Sequence, residues 1–311
     1  MYNVTANVQI FIKNYYSMKN LKMKNLVITG LILIISGIFS TGYSQKKTEA
    51  TPQKGGTKLE YNYPAGKVFK YTTNTKIVED MDVNGQSMLV NVAISMGCQV
   101  KAIEKQAENI KIEIKIDSMT QNVESPQGTA GGSINDVKGK VFNMVISPAG
   151  KAVDISEAAK IVYTVEGSGE NNLSQAFMAY FPALPKGAVN PGDTWTTNDT
   201  IDSKSPSNSL WMPVQANYKF EGIENIDGMD CAKISSTISG TRKMSTQSQG
   251  MGDIKTSGPF TGTQTLLFAV KEGYLIKESV TSKLTGTIEI PDQNMNFPVV
   301  MTITSTHEIV K

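Results

Sequence analysis

Apolar or thiol side chains occupy every second position from Met88 to Ala102: Met88, Val90, Val92, Ile94, Met96, Cys98, Val100 and Ala102. After a short polar break the alternation resumes at Ile110, Ile112, Ile114 and Ile116, with Lys111, Glu113, Lys115 and Asp117 between them. Strand side chains alternate between two faces, so both stretches predict long antiparallel strands with one buried and one wetted face. The same period runs through Leu210, Met212, Val214, Ala216, Tyr218 and Phe220, and strands are also predicted over 68–79, 141–147, 151–155, 229–242, 260–270, 274–290 and 295–310. Asn84-Gly85, Pro148-Ala149-Gly150, Asp227-Gly228 and Lys271-Glu272-Gly273 supply turns between them. Two stretches rich in Gly and Ser, 124–139 and 245–258, read as loops.

The middle of the chain changes period. Leu173, Ala176, Phe177, Tyr180 and Phe181 fall on one stripe of an α-helix, with Asn172 as a cap-like start and Pro182 as the stop. Residues 156–165 predict a second helix. A helix this short is not stable alone and must lie on the sheet. An open sheet of so many long strands must twist and curl. The predicted fold class is therefore all-β with minor α: a large curved antiparallel sheet or half-barrel, with one or two central helices packed on its concave face. A transmembrane barrel would need aromatic girdles and a continuous lipid-facing apolar band. Here aromatics make up 7% of the chain, and the wet faces carry Lys, Glu and Asp.

The N-terminus adds a destination. Residues 1–44 contain four lysines and no acidic residue, an apolar run from Leu26 to Phe39, and Gly42-Tyr43-Ser44 before Gln45. This pattern predicts a secretory signal peptide, with Met18 or Met23 as the natural start. The apolar run is shorter than a spanning helix needs, so the mature chain is not expected to be transmembrane. Residues 45–57 read as a disordered lead-in and 58–311 as a single all-β domain with a helical insert at about 156–183. Export to the periplasm, the outer membrane or the medium follows. Losing those four lysines turns the formal charge of +2 into −2, and Arg242 is the only arginine. Such a chain has no electrostatic footprint for nucleic acid.

Candidate chemistry is sparse. Asp80-Met81-Asp82-Val83-Asn84-Gly85 matches the first half of an EF-hand loop, but Asn91 stands where the bidentate acid belongs, so a hairpin turn is expected and no metal site. His307 is the only histidine, on the parity of Met301 and Ile303, and reads as a structural residue. No nucleophile or metal motif accompanies it, so neither catalytic residues nor a cofactor are expected, and the chain reads as a non-enzyme. Cys98 has apolar parity and Cys231 the opposite, which favours two separate packed thiols over a disulfide. Twelve methionines lie beyond residue 44, and flexible thioethers suit an adaptable apolar pocket or a filled core.

The most individual stretch is Leu184-Pro185-Lys186-Gly187-Ala188-Val189-Asn190-Pro191-Gly192-Asp193-Thr194-Trp195. Pro-Gly suits a type II turn, Asp193 can bond the amides that follow, and Trp195 opens a strand. Here the chain resembles a family of exported bacterial proteins of unknown function that carry an LP…PGDxW element after a central helix. The likeness spans roughly residues 58–311, and that family has no assigned catalytic residues. The architecture is also similar to lipoprotein-carrier half-barrels, whose concave face holds acyl chains. What this resemblance implies is a lipid, acyl chain or other apolar ligand in the concavity. The expected lining is Phe177, Tyr180, Phe181, Trp195, Met212 and Met301. The competing expectation is an envelope module with a filled core that docks another protein.

Overall fold

The structure, a computed structural model, describes residues 55–310 except 84, 127, 166–168 and 249–251. The expected signal segment and the lead-in up to residue 54 lie outside the described residues. Six strands come first: β1 (Val68–Val83), β2 (Gln86–Gln106), β3 (Asn109–Ser125), β4 (Gly128–Ser133), β5 (Val141–Ile146) and β6 (Ala152–Asp154). An insert follows, made of α1 (Ser156–Ala159), β7 (Val162–Val165), β8 (Gly169–Asn172) and α2 (Ser174–Phe177). Then come β9 (Thr194–Lys204), β10 (Asn208–Ile226), β11 (Met229–Ser248), β12 (Gly252–Ala269), β13 (Tyr274–Ile290) and β14 (Met295–Val310).

Twelve strands form one curved antiparallel sheet in the order β6-β5-β3-β2-β1-β14-β13-β12-β11-β10-β9, with β4 paired onto β3. β7 and β8 pair only with each other. The first and last strands pair at the middle of the sheet, Ile77 opposite Ile303 and Tyr71 opposite Ile309. The chain therefore reaches one sheet edge at β6 and restarts at the other edge with β9. The insert joins those edges, and it does so across the inner face.

Parity decides what that face carries. Val90, Val92, Met96, Cys98, Val100 and Ala102 are all buried, as the alternation predicts, and so are Ile110 to Ile116 at every second place. Beyond Ile116 the apolar parity shifts by one, to Met119 and Val123. The cause is a bulge: Ile116 pairs with Cys98 and Ser118 with Gly97, leaving Asp117 unpaired. One extra residue keeps both halves of β3 facing inward. The curl leaves no room for side chains where strands crowd. A Cβ on Gly286 would sit 2.0 Å from the Ser257 carbonyl oxygen, and one on Gly240 2.1 Å from that of Pro213. Glycine at these points lets neighbouring strands coil sharply.

Three expectations change. The predicted long helix is confined to Ser174–Phe177, although Leu173, Ala176, Phe177, Tyr180 and Phe181 are all buried as the stripe requires. Packing rather than helix propensity places these side chains, and Pro182 biases Phe181 away from helical backbone. The second helix stops at Ala159, because Val162–Val165 alternates and pairs with Gly169–Asn172. Both predicted loops contain strand: within 124–139 β4 pairs with β3 while 134–139 stay outside the sheet, and the β11–β12 hairpin extends to Ser248 opposite Gly252. The buried side chains described in 245–258 are Thr246, Ser248, Ile254 and Thr256, and three polar ones of the four hide the alternation. Both cysteines are free and buried.

Candidate binding site on the inner face

The expected ligand-binding residues are all buried, and they fall in three places. Phe177, Tyr180 and Phe181 form one aromatic cluster beneath the insert. Phe177 meets Phe142 edge-on at 4.9 Å, and Phe181 meets Tyr61 likewise at 5.5 Å. Tyr180 lies edge-on to His307 at 4.4 Å and shares a 2.9 Å hydrogen bond with the Cys98 thiol. Trp195 stands apart on β9, stacked 5.2 Å from Tyr218 on β10. Met212 on β10 and Met301 on β14 belong to the opposite end of the sheet from the aromatic cluster. The half-exposed Trp211 sits in an outer-face depression of about 460 Å³, and none of these residues lines it.

Polar groups interrupt the apolar inner face, and the sequence reading missed most of them. Ser236 donates to Gln264 Oε1 (2.8 Å), and Gln264 Nε2 donates to Glu278 Oε1 (2.5 Å). Glu278 is paired in register with His307, whose Nδ1 lies 2.9 Å from the Thr73 hydroxyl. Burial pushes the Glu278 carboxyl up to about 8, against the lowering effect of Gln264, so it is held protonated near neutral pH. Burial also drives His307 down to about 3, so its ring is neutral. A hydroxyl beside a histidine is the geometry of an activated nucleophile. Here the base is too weak to take a proton, its Nε2 has no partner among the described residues, and both side chains are buried.

The second polar group is Arg242 with Glu79. The guanidinium is 2% exposed and the carboxyl fully buried. Arg242 on β11 is in register with Gly258 on β12, and its Nη1 reaches the thioether of Met301 on β14 at 3.7 Å. Its Nη2 donates to Met244 Sδ at 2.9 Å. Met301 is the register partner of Glu79, so cation and carboxyl face the same compartment. Neither carboxyl oxygen of Glu79, nor Nε of Arg242, has a hydrogen-bonding partner among the described residues. Burial raises Glu79 to about 8 and lowers Arg242 to about 10, each opposed by the charge of the other. Parity was the available signal: Glu79 sits between Ile77 and Met81, and Arg242 between Ile238 and Met244, each on the inward period.

The two motif-like stretches are turns. Gly85, at φ +80°, donates its amide to Asp82 Oδ1 (2.7 Å), and Ser87 donates to Asp80 Oδ1 (2.6 Å), which closes the β1–β2 hairpin. In the PGDxW element Asp193 accepts the preceding Asn190 amide (2.7 Å), not the following ones, because the turn folds back on itself. Gly192 then donates to the Phe220 carbonyl (2.7 Å) and Phe220 to that of Asp193 (2.9 Å). The element stitches the insert to β10 and delivers Trp195 to the inner face.

No family model and no curated protein matches the chain. Among solved structures, an outer membrane channel from Pseudomonas putida matches at 8% identity and a TM-score of 0.35, over 81% of this chain and 98% of that one. A candidate lipoprotein from Parabacteroides distasonis matches at 11% identity and a TM-score of 0.24, over 81% and 98%. DynF, from the dynemicin biosynthesis pathway of Micromonospora chersina, matches at 5% identity and a TM-score of 0.24, over 87% and 93%. At these scores the likenesses carry no inference about ligand, activity or location. Among the described residues, no helix is long and apolar enough to cross a membrane.

Proposed function

We propose that the chain is an exported envelope protein, without catalytic activity, that binds a lipid or other apolar ligand on the concave face of its curved sheet. Export rests on the basic, apolar and small-residue order of residues 1–44. Ligand binding rests on one observation, the nature of the cover. The insert spans the two sheet edges and roofs the inner face with two helical turns of four residues each and a hairpin outside the main ladder. Such a cover forms no ladder with the main sheet, so lifting it breaks none of that sheet's strand pairing. Native mass spectrometry of the mature protein, released gently from the cell envelope, is expected to show lipid-sized mass additions. A clean apo mass with no uptake on incubation with lipid contradicts the reading.

The burial of Phe177, Tyr180 and Phe181 favours a second reading, an envelope interaction module whose core is filled by its own insert. That module would dock a protein partner and leave the lipid assay blank.

A further inference from the structure

The compartment around Arg242 holds the one arginine of the chain against the weakest acceptors a protein has. Thioether sulfur is a poor acceptor, yet Met301 and Met244 take two of its nitrogens. Met81 and Met212 are buried on the same inward rows, Met81 two residues beyond Glu79 and Met212 opposite Ile201 on β9. A buried cation without an anion in contact is costly, and exchanging a thioether for a carboxylate oxygen gains a charge-assisted hydrogen bond. Methionine chains re-pack readily around an apolar guest.

We propose that Arg242 is the headgroup contact for a long-chain carboxylic acid whose hydrocarbon tail lies among Met81, Met212, Met244 and Met301. This rests on the reading that the inner face takes an apolar ligand. Charge selects the class of headgroup. One guanidinium is present, and no lysine is buried among the described residues, so the site balances a single negative charge. A phosphate dianion would leave charge uncompensated beside Glu79. The Glu79 carboxyl, protonated near neutral pH by its burial, adds an O–H donor to the incoming carboxylate.

The test uses the mature chain and three probes of equal chain length: hexadecanoate, hexadecan-1-ol and hexadecyl phosphate. Equilibrium dialysis is run on the wild type and on Arg242→Met, an apolar replacement of similar length. Hexadecanoate is expected to bind the wild type at least about tenfold tighter than the alcohol, and Arg242→Met to remove that advantage, so that the acid and the alcohol bind the variant within about twofold of each other. Equal binding of acid and alcohol by the wild type overturns the inference and leaves the lipid reading standing. Tighter binding of the phosphate overturns the carboxylate assignment. Failure of all three probes to bind overturns the lipid reading itself. Should Arg242→Met not fold, the wild type bound to carboxyl-labelled [1-13C]hexadecanoate decides by NMR. A carboxyl that stays ionised at least about one pH unit below its free value supports Arg242 contact, and one that titrates at its free value overturns it.

Discussion

Replacing Phe177 with alanine is expected to lower stability by about 3–5 kcal/mol, the usual cost of emptying an aromatic site in a packed core. For a chain of this length that corresponds to a fall of about 10 °C in Tm. Phe177 is fully buried between Phe142, 4.9 Å away edge-on, and Tyr180, 4.6 Å away. It joins the insert to the inner face through Phe142 of β5, so its loss loosens the cover as well as leaving a cavity. The variant should therefore take up more of a fluorescent apolar probe at temperatures where it remains folded. Val153→Ala, at a side chain 51% exposed on β6, is the control and should change stability by less than about 0.5 kcal/mol. A Phe177→Ala variant that melts with the wild type would mean that the insert does not pack on the sheet.

Stability should peak at mildly acidic pH and fall by several kcal/mol between about pH 5 and about pH 8. Glu79 and Glu278 are raised to about 8 from an ordinary value of 4.5. The folded chain therefore holds two protons that the unfolded chain releases across that window. Their contribution is fully present below about pH 4.5 and is lost as pH rises to about 8. Asp199, half-buried and raised to about 7 mainly by desolvation, acts in the same direction, reduced by its contact with solvent. His307 opposes them. Lowered to about 3 from 6.5, it costs stability as pH falls through that range, because the unfolded chain gains the proton first. Glu278→Gln copies the shape of the protonated acid and keeps an acceptor for Gln264, so it should flatten the alkaline limb. Urea denaturation of both proteins at several pH values reads the difference. Stability that rises between about pH 5 and about pH 8, or a variant with an unchanged slope, contradicts the assignment.

The strands were the legible part of the molecule. Alternation in 88–102 and 110–116 translates directly into β2 and β3, because the apolar side chains there share one face, all buried except the partly buried Met88 and Ile94. Legibility fails wherever the inward face is polar. Thr246, Ser248 and Thr256 carry the β11–β12 hairpin inward with Ile254 as the one apolar residue among the buried side chains described there, so that stretch reads as a loop. The aromatic stripe from Leu173 to Phe181 names the right buried residues and the wrong backbone, since tertiary contacts hold the side chains with a single helical turn. Of the expected site residues, Phe177, Tyr180 and Phe181 gather beneath the insert, Trp195 stacks apart on Tyr218, and Met212 and Met301 lie at the other end of the sheet. Arg242, Glu79, Gln264 and Glu278 were missed because charge and amide groups suggest solvent. Parity says otherwise most plainly for Glu79, between buried Ile77 and Met81, and for Glu278, between buried Ile276 and Val280.

The inner face of the sheet is the proposed seat of an apolar guest. A crystal structure of the mature protein with a bromine-labelled long-chain acid locates the guest by the anomalous signal of the bromine. Bromine among the inward side chains of β1, β10, β11 and β14 is the predicted result. Bromine found on the outer face alone, with Phe177, Tyr180 and Phe181 still seated, would contradict it.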